Sequence, residues 1–296
     1  MPHYRHLSHA GNHGDVLKHA VLCLIVEQLL ARANPFVYID THAGAGLYDL
    51  WAPAAQKNRE FETGILRLWH HNDLPAGLHT YIDIVYKMNP FGELRWYPGS
   101  PALVGQLMRA QDNAHLFDVH SSEINTLQNL FNSTHNVHVT HADGPLSLNT
   151  LSLPQQHQVL VLIDPSYKTR ADFVFGSNAL KVAQGRFAEG VFMLWYPVID
   201  RGEIRRLELD VCSSGLGNIL MAELNVAADD TSEKTRAMTG SGMIVINPPV
   251  NLKENLQQIL PCLARRCIAR RFTPASHIEN PGTWRLSSLV SENMAP

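Results

Sequence analysis

The chain has 296 residues, 45% of them apolar and 17% charged, and carries a formal net charge of −3. Such a composition allows a large buried core in one α/β domain, or one domain with a smaller inserted one, and excludes a mainly disordered polypeptide. The near-neutral charge excludes indiscriminate coating of nucleic acid, so any recognition of RNA or DNA must rest on local basic surface. Cys23, Cys212, Cys262 and Cys267 are scattered with no zinc-type C-x-x-C pair, and three of them lie in apolar periodic segments. No apolar signal core follows a basic start, and the stretch from Ala20 to Leu30 is interrupted by Glu27. The expectation is a reduced, cytoplasmic protein without a membrane span.

The first nineteen residues hold His3, His6, His9, His13 and His19 beside Arg5 and Lys18. Metal binding is not expected, because Ser8, Gly11, Asn12 and Gly14 are turn formers and no Cys, Glu or third regularly spaced ligand completes a site. The segment reads as a polar loop that caps a helix and closes over a ligand, with Tyr4, Arg5 and His6 towards nucleic acid and Lys18 and His19 towards a cofactor. Asn12 or Asp15 caps a packing helix with apolar residues at 16, 17, 20, 21, 24, 25, 29 and 30. The strand Phe36-Val37-Tyr38-Ile39 then runs into Asp40-Thr41-His42-Ala43-Gly44-Ala45-Gly46, a strand, an acid and a G-x-G turn. That order suits a nucleoside-binding turn of a Rossmann-like unit. Asp49 stands where the dinucleotide version has its third glycine, so the turn fits a methyltransferase better than an NAD enzyme.

From 48 to 95 the strand–helix alternation stops. Glu60 to His71 and Leu78 to Met88 read as two amphipathic helices joined by Asp73-Leu74-Pro75. The expected division is therefore a main domain of residues 1–47 and 96–296, with 48–95 an inserted helical subdomain that is either structural or substrate-reading. Ser100 followed by Pro101 starts the next helix. Three strands then end at or just before an acid: Ala114 to Phe117 at Asp118, Asn136 to Thr140 at Asp143-Gly144, and Val159 to Ile163 at Asp164. An adenosine ligand needs one carboxylate for its ribose hydroxyls and another for the adenine amine; the competing reading is that acids cap the following helices. Further on, Asp172 to Gln184 reads as a helix, Gly190 to Trp195 as a buried strand and Asp200 to Val211 as a helix with Arg201, Arg205 and Arg206 on one face. Asn218 to Val226 and Met243 to Ile246 read as strands joined by a polar connection at 227–241. Asn251 to Phe272 reads as a closing helix with Arg265, Arg266, Arg270 and Arg271 near its end.

The apolar run Val159-Leu160-Val161-Leu162-Ile163 reads as a strand buried on both faces, and it ends in Asp164-Pro165-Ser166-Tyr167. Ligands of open α/β sheets bind outside the carboxyl ends of the strands, which places this tetrad in the crevice. Pro165 cannot extend a hydrogen-bonding ladder, Asp164 offers an anionic acceptor, and Tyr167 offers a flat face on which an extruded base can stack. The tetrad resembles the D/N-P-P-Y/F motif of amino-methyltransferases, with Ser166 in place of the second proline. A competing copy, Asn247-Pro248-Pro249-Val250, has the double proline and lacks the aromatic.

Taken together, YRHLSHAGNHGDVLKH, DTHAGAG, WYPGSP, ADG, LIDPSY, LWYPV and GMIVINPP, in this order, resemble the RlmJ family of bacterial 23S ribosomal RNA adenine-N6 methyltransferases, which use S-adenosylmethionine (AdoMet). The resemblance covers nearly the whole chain. It implies a Rossmann-like seven-stranded methyltransferase fold with a small helical insertion after the first strand. It also implies methylation of an adenine N6 in 23S rRNA by a monomer without metal. By that resemblance cofactor contacts fall on His19, His42, Ser100, Asp118, Asp143, Gly144 and Asp164 and a substrate contact on Tyr4, and the residue reading adds Lys18 and Gly44 on the cofactor side and Arg5, His6 and Tyr167 on the substrate side. Asp164, Pro165 and Tyr167 carry the chemistry. Asp118 is one methylene shorter than the glutamate of that family position. The alternatives are a DNA or other nucleobase amino-methyltransferase, and a silent AdoMet- or nucleic-acid-binding module.

Overall fold

The computed structural model describes residues 6–153, 157–227, 238–268 and 282–289. Its frame is one eight-stranded sheet in the order β10-β8-β9-β7-β6-β1-β4-β5. The strands are β1 (Phe36–Asp40), β4 (Asn113–Asp118), β5 (Val137–His141), β6 (Gln158–Ile163), β7 (Val191–Val198), β8 (Ile219–Asn225), β9 (Gly240–Ile246) and β10 (Thr283–Leu289). β5, β4, β1, β6 and β7 run parallel, whereas β9 is antiparallel to both β7 and β8. The chain leaves β1 towards β4 and β5 and returns on the other side at β6. The topological switch therefore lies between β1 and β6, and a ligand crevice belongs at their carboxyl ends.

Seven of these strands correspond to the expected methyltransferase sheet; the eighth, β10, is an addition. It pairs with β8 along its whole length, from Thr283 opposite Asn225 to Leu289 opposite Ile219. Its sequence, TWRLSSL, lies on the edge and is half-exposed, so it shows neither an unbroken apolar run nor clean alternation.

Helix α1 (His13–Leu30) is buried on every side from His13 to Val26, rather than along one stripe. It packs against β9 and α4 (Ser100–Leu107) and is covered in turn by α3 (His79–Met88) and α9 (Leu252–Arg266). A helix apolar all round is a buried helix, and this one lies between the sheet and an outer layer.

That outer layer includes the segment between β2 (Leu47–Asp49) and β3 (Trp96–Pro98), which close antiparallel on each other with Tyr48 opposite Tyr97. Of the two helices expected there, α3 is present. The stretch 60–71 instead forms two short 3₁₀ turns, Glu60–Thr63 and Ile65–Arg67, preceded by α2 (Pro53–Asn58). Helix formation is interrupted by Arg59, whose φ is 51°, and by Gly64, whose φ and ψ are −114° and −111°. Side chains of this segment, among them Phe61, Ile65, Leu78 and Tyr81, enter the same core as α1. Arg266 of α9 donates twice to Asp73, at 2.8 and 2.7 Å. Arg270 and Arg271 lie outside the described residues, as does 228–237 of the polar connection.

The segment also docks on the loop before α1 through backbone. Ile65 N donates to Gly11 O at 2.8 Å, and a Cβ on Gly64 would stand 2.1 Å from that same oxygen. Gly64→Ala is therefore expected to destabilise the protein by about 2 kcal/mol or more, since the obstacle is backbone that cannot rotate away. Urea unfolding of the variant checks this; an unchanged midpoint would mean that the contact is dispensable.

Candidate active site

The site is built on the carboxyl ends of β1, β4 and β6. Thr41 N donates to Leu162 O at 3.1 Å and Ala43 N to Phe117 O at 2.8 Å, so the turn after β1 is fastened to both neighbouring strands. Within it Gly44 has a φ of 59°, and a Cβ there would lie 2.3 Å from the Tyr48 hydroxyl, which explains the glycine on two counts. Above this floor opens a cavity of about 800 Å³, the size of a nucleoside or larger. Every described residue that the sequence assigns to the site lines it. Tyr4 and Arg5 lie outside the described residues.

On one side the cavity wall is the first turn of α1. Asn12 caps the helix by accepting from Asp15 N at 3.0 Å. Lys18 Nζ sits 2.6 Å from Asp164 Oδ2 and 2.9 Å from Asp15 Oδ1, with its side chain 6% exposed. Burial alone would lower the Lys18 pKa, but the carboxylates of Asp15 and Asp164 outweigh it and hold the ammonium well above its usual value. Asp15 Oδ2 accepts from His6 Nε2 and Gly11 N, both at 2.9 Å. Burial opposes the Asp15 charge, yet His6 and Lys18 prevail and keep its carboxyl well below the usual range. His6 thus reaches the site through Asp15, with its ring 5.1 Å from that of Tyr48.

The opposite wall gathers the strand-end acids. Asp118 accepts from Gly44 N through Oδ2, and from His120 N and the His120 ring through Oδ1, at 2.8 to 2.9 Å. Asp143 caps the short helix α6 (Gly144–Ser147) by accepting from Leu146 N, so the helix-cap reading holds for this acid. Gly144 lies so close to Thr41 that a Cβ would stand 2.3 Å from its carbonyl oxygen. Ser100 is the first residue of α4, and its hydroxyl donates to Asp40 Oδ2 at 2.6 Å. His42 Nδ1 pairs with Thr41 Oγ1, and burial lowers its pKa. His19 Nδ1 meets the Tyr97 hydroxyl at 2.8 Å, while its buried Nε2 has no hydrogen-bond partner among the described residues. Burial, and then the Lys18 charge, keep this imidazole neutral.

Asp164-Pro165-Ser166-Tyr167 follows β6 into the cavity. Tyr167 adopts a left-handed φ of 42°, which turns its ring back into the protein, where it is 8% exposed. The hydroxyl donates to Trp195 O at 2.6 Å, and the ring lies edge-on to Trp195 and tilted against Phe173. The competing tetrad at 247 is excluded from this site by topology. Ile246 pairs with Phe192 near the start of β7, so antiparallel β9 delivers Asn247 to the opposite edge of the sheet. There its amide donates to Gly190 O.

The cavity is also lined by Asp15, His120 and Trp195, none of which the sequence assigned to the site. Only Asp15 had a readable signal, its i,i+3 spacing to Lys18. No group of three or more potential metal ligands is gathered among the described residues. The groups present suit AdoMet: carboxylates of Asp118, Asp143 and Asp164 for a cationic nucleoside, the Gly44 turn, and His19 Nε2, which has no partner among the described residues.

Asp40 is fully buried and accepts from Tyr38, Ser100 and His42 N; burial nevertheless raises its pKa to about 6. The folded state then binds this proton more tightly than the unfolded chain. Its contribution to stability is present below about pH 4 and is lost as pH rises through about 6, by about 3 kcal/mol at most. His13, lowered by burial to about 4, acts in the opposite sense and loses its contribution as pH falls below about 6.5. The difference in unfolding free energy between wild type and Asp40→Asn, followed by urea melts, isolates the first effect. The wild-type advantage should shrink as pH rises from about 4 to about 7; a flat difference would refute the shift.

Residues 33–276 match the family model described as Ribosomal RNA large subunit methyltransferase D, RlmJ. The chain is 42% identical over 268 residues to Ribosomal RNA large subunit methyltransferase J of Escherichia coli strain K12, covering 90% of this chain and 95% of that one. It is 38% identical over 293 residues to the protein of the same name from Haemophilus influenzae Rd, covering 99% and 100%. The crystal structure of protein LPL1258 from Legionella pneumophila superposes with a TM-score of 0.84 at 28% identity, covering 96% of this chain and 99% of that one. With the switch-point cavity and its acid-lined floor already on the same fold, these matches fix the assignment: the chain belongs to the RlmJ family of ribosomal RNA large subunit methyltransferases.

Proposed function

We propose that the protein transfers a methyl group from AdoMet to the N6 amine of an adenine in 23S ribosomal RNA, acting as a monomer without metal. The observation that carries this reading is Asp164 at the switch point, with Oδ2 held by Lys18 and Oδ1 without a hydrogen-bond partner among the described residues.

An adenine amine is a poor nucleophile because its lone pair is delocalised into the ring. An acceptor that draws on an amine hydrogen returns electron density to nitrogen, and Asp164 Oδ1 with the Pro165 carbonyl supplies such acceptors. AdoMet, when bound, would supply an electrophilic methyl on a sulfonium and leave as the neutral thioether, and the proton that N6 sheds would pass to Asp164 Oδ1 or to water. The residues that would hold the cofactor are Asp118, Asp143, Gly144 and Asp164 with Lys18, Gly44, His19, His42 and Ser100, whose hydroxyl is held from behind by Asp40. Tyr167 and Trp195 form the wall for the base, and the protein's main task is alignment. His6 completes the substrate side, with Tyr4 and Arg5 assigned to the same role. The exposed Ser166 removes none of these groups.

Incubation with labelled AdoMet and unmodified 23S rRNA, with unmodified DNA alongside, tests the proposal. RNA should be labelled and nucleoside digestion should yield N6-methyladenosine; label in DNA alone would overturn the RNA assignment. Asp164→Ala should lower the single-turnover rate by about 10²-fold or more, as for loss of a preorganised electrostatic contact. Asp118→Ala should weaken AdoMet binding by about tenfold, measured by calorimetry. Unchanged affinity would remove Asp118 from the cofactor side.

A further inference from the structure

We propose that Asp15 is a positioning residue for methyl transfer, acting on Asp164 through Lys18; this rests on the methyltransferase reading above. Asp15 is 2% exposed and belongs to no part of the tetrad, yet both its oxygens are committed to the site. Oδ1 holds Lys18 Nζ at 2.9 Å, and Oδ2 holds His6 Nε2 and Gly11 N. Lys18 in turn holds Asp164 Oδ2 at 2.6 Å. One buried ammonium is therefore shared between a carboxylate that faces the reacting base and one that does not.

Sharing has two consequences. Asp15 fixes Lys18 at a second point, so the cation cannot follow Asp164 and the Asp164 carboxylate keeps one oxygen occupied and the other open. The Asp15 charge also takes up part of the Lys18 field. Without it, the ammonium would act on Asp164 alone and draw down the electron density that Asp164 offers to the amine. A buried ion pair costs desolvation, which favours such an arrangement only when its geometry is fixed in advance. Here it is: Asn12 Oδ1 holds Asp15 N, Gly11 N holds Asp15 Oδ2, and Glu60 accepts from Asn12 and pairs with His9. The aspartate is thus braced by the segment 60–65 as well as by its own helix.

A double-mutant cycle distinguishes this from a role in folding alone. Wild type, Asp15→Asn, Lys18→Met and the double variant are compared in single-turnover methylation of a 23S rRNA transcript at saturating RNA and AdoMet. KM for RNA, AdoMet binding by calorimetry and thermal melting are followed in parallel. Asp15→Asn should lower the rate by about tenfold or more while KM and AdoMet affinity stay within about twofold. In the Lys18→Met background the same change should cost nothing further. Asp15→Ser, which keeps a hydroxyl for Gly11 N in the first helical turn, serves as a second charge-free variant. Multiplying losses, a loss confined to KM, a wild-type rate for Asp15→Asn, or failure of both Asp15 variants to fold would each overturn the proposal. A wild-type protein that labels no RNA would instead overturn the methyltransferase reading on which the proposal stands.

Discussion

The ammonium of Lys18, taken out of water and shared by two carboxylates, is the constraint on which the rest of the site depends. A cation at that depth is tolerable only with counter-charges held at short distance. One of them, Asp15, sits on the same helix turn, and the other, Asp164, arrives from the end of β6. The pair therefore dictates that α1 and the central strand meet at the carboxyl edge of the sheet. It also explains why the loop before α1 is so heavily anchored, with Gly11, Asn12 and Glu60 all engaged around it.

The proposed cofactor side follows another logic. Its acceptors are already satisfied by protein donors: Asp118 by Gly44 N and His120, Asp40 by Tyr38, Ser100 and His42 N. Acceptors fixed in this way do not have to reorganise when a ligand arrives, which is the physical content of a preorganised site. The glycine turn contributes the missing ingredient, backbone that can come close.

Much of this was legible in the sequence where the signal is local. β6 and β7 lie inside a parallel sheet, so they are unbroken apolar runs, and the acids at strand ends mark the crevice without any knowledge of packing. The tetrad at 164 outranks the one at 247 in the sequence by its aromatic residue, and in the structure by strand direction, a property no short motif records. Illegible were features made by distant partners. Lys18 and Asp164 pair across about half of the chain, 146 residues apart, and α1 reads as a striped helix because the residues that bury its outer face lie far downstream. Gly64 looked like an ordinary helix residue, since nothing nearby announces the Gly11 carbonyl against it. β10, mixed in polarity and half-exposed, resembles a loop until β8 is there to receive it.

The all-round burial of α1 bears on how the protein is made. Among the described elements this helix is synthesised early, well ahead of one of its covers, α9. During synthesis an apolar helix with no polar face must wait for its final partner, as expected for a chain rich in contacts between distant residues. Because the same helix carries Lys18 and Asp15, the catalytic edge cannot assemble ahead of the core. A product truncated before α9 would leave the outer face of this helix uncovered.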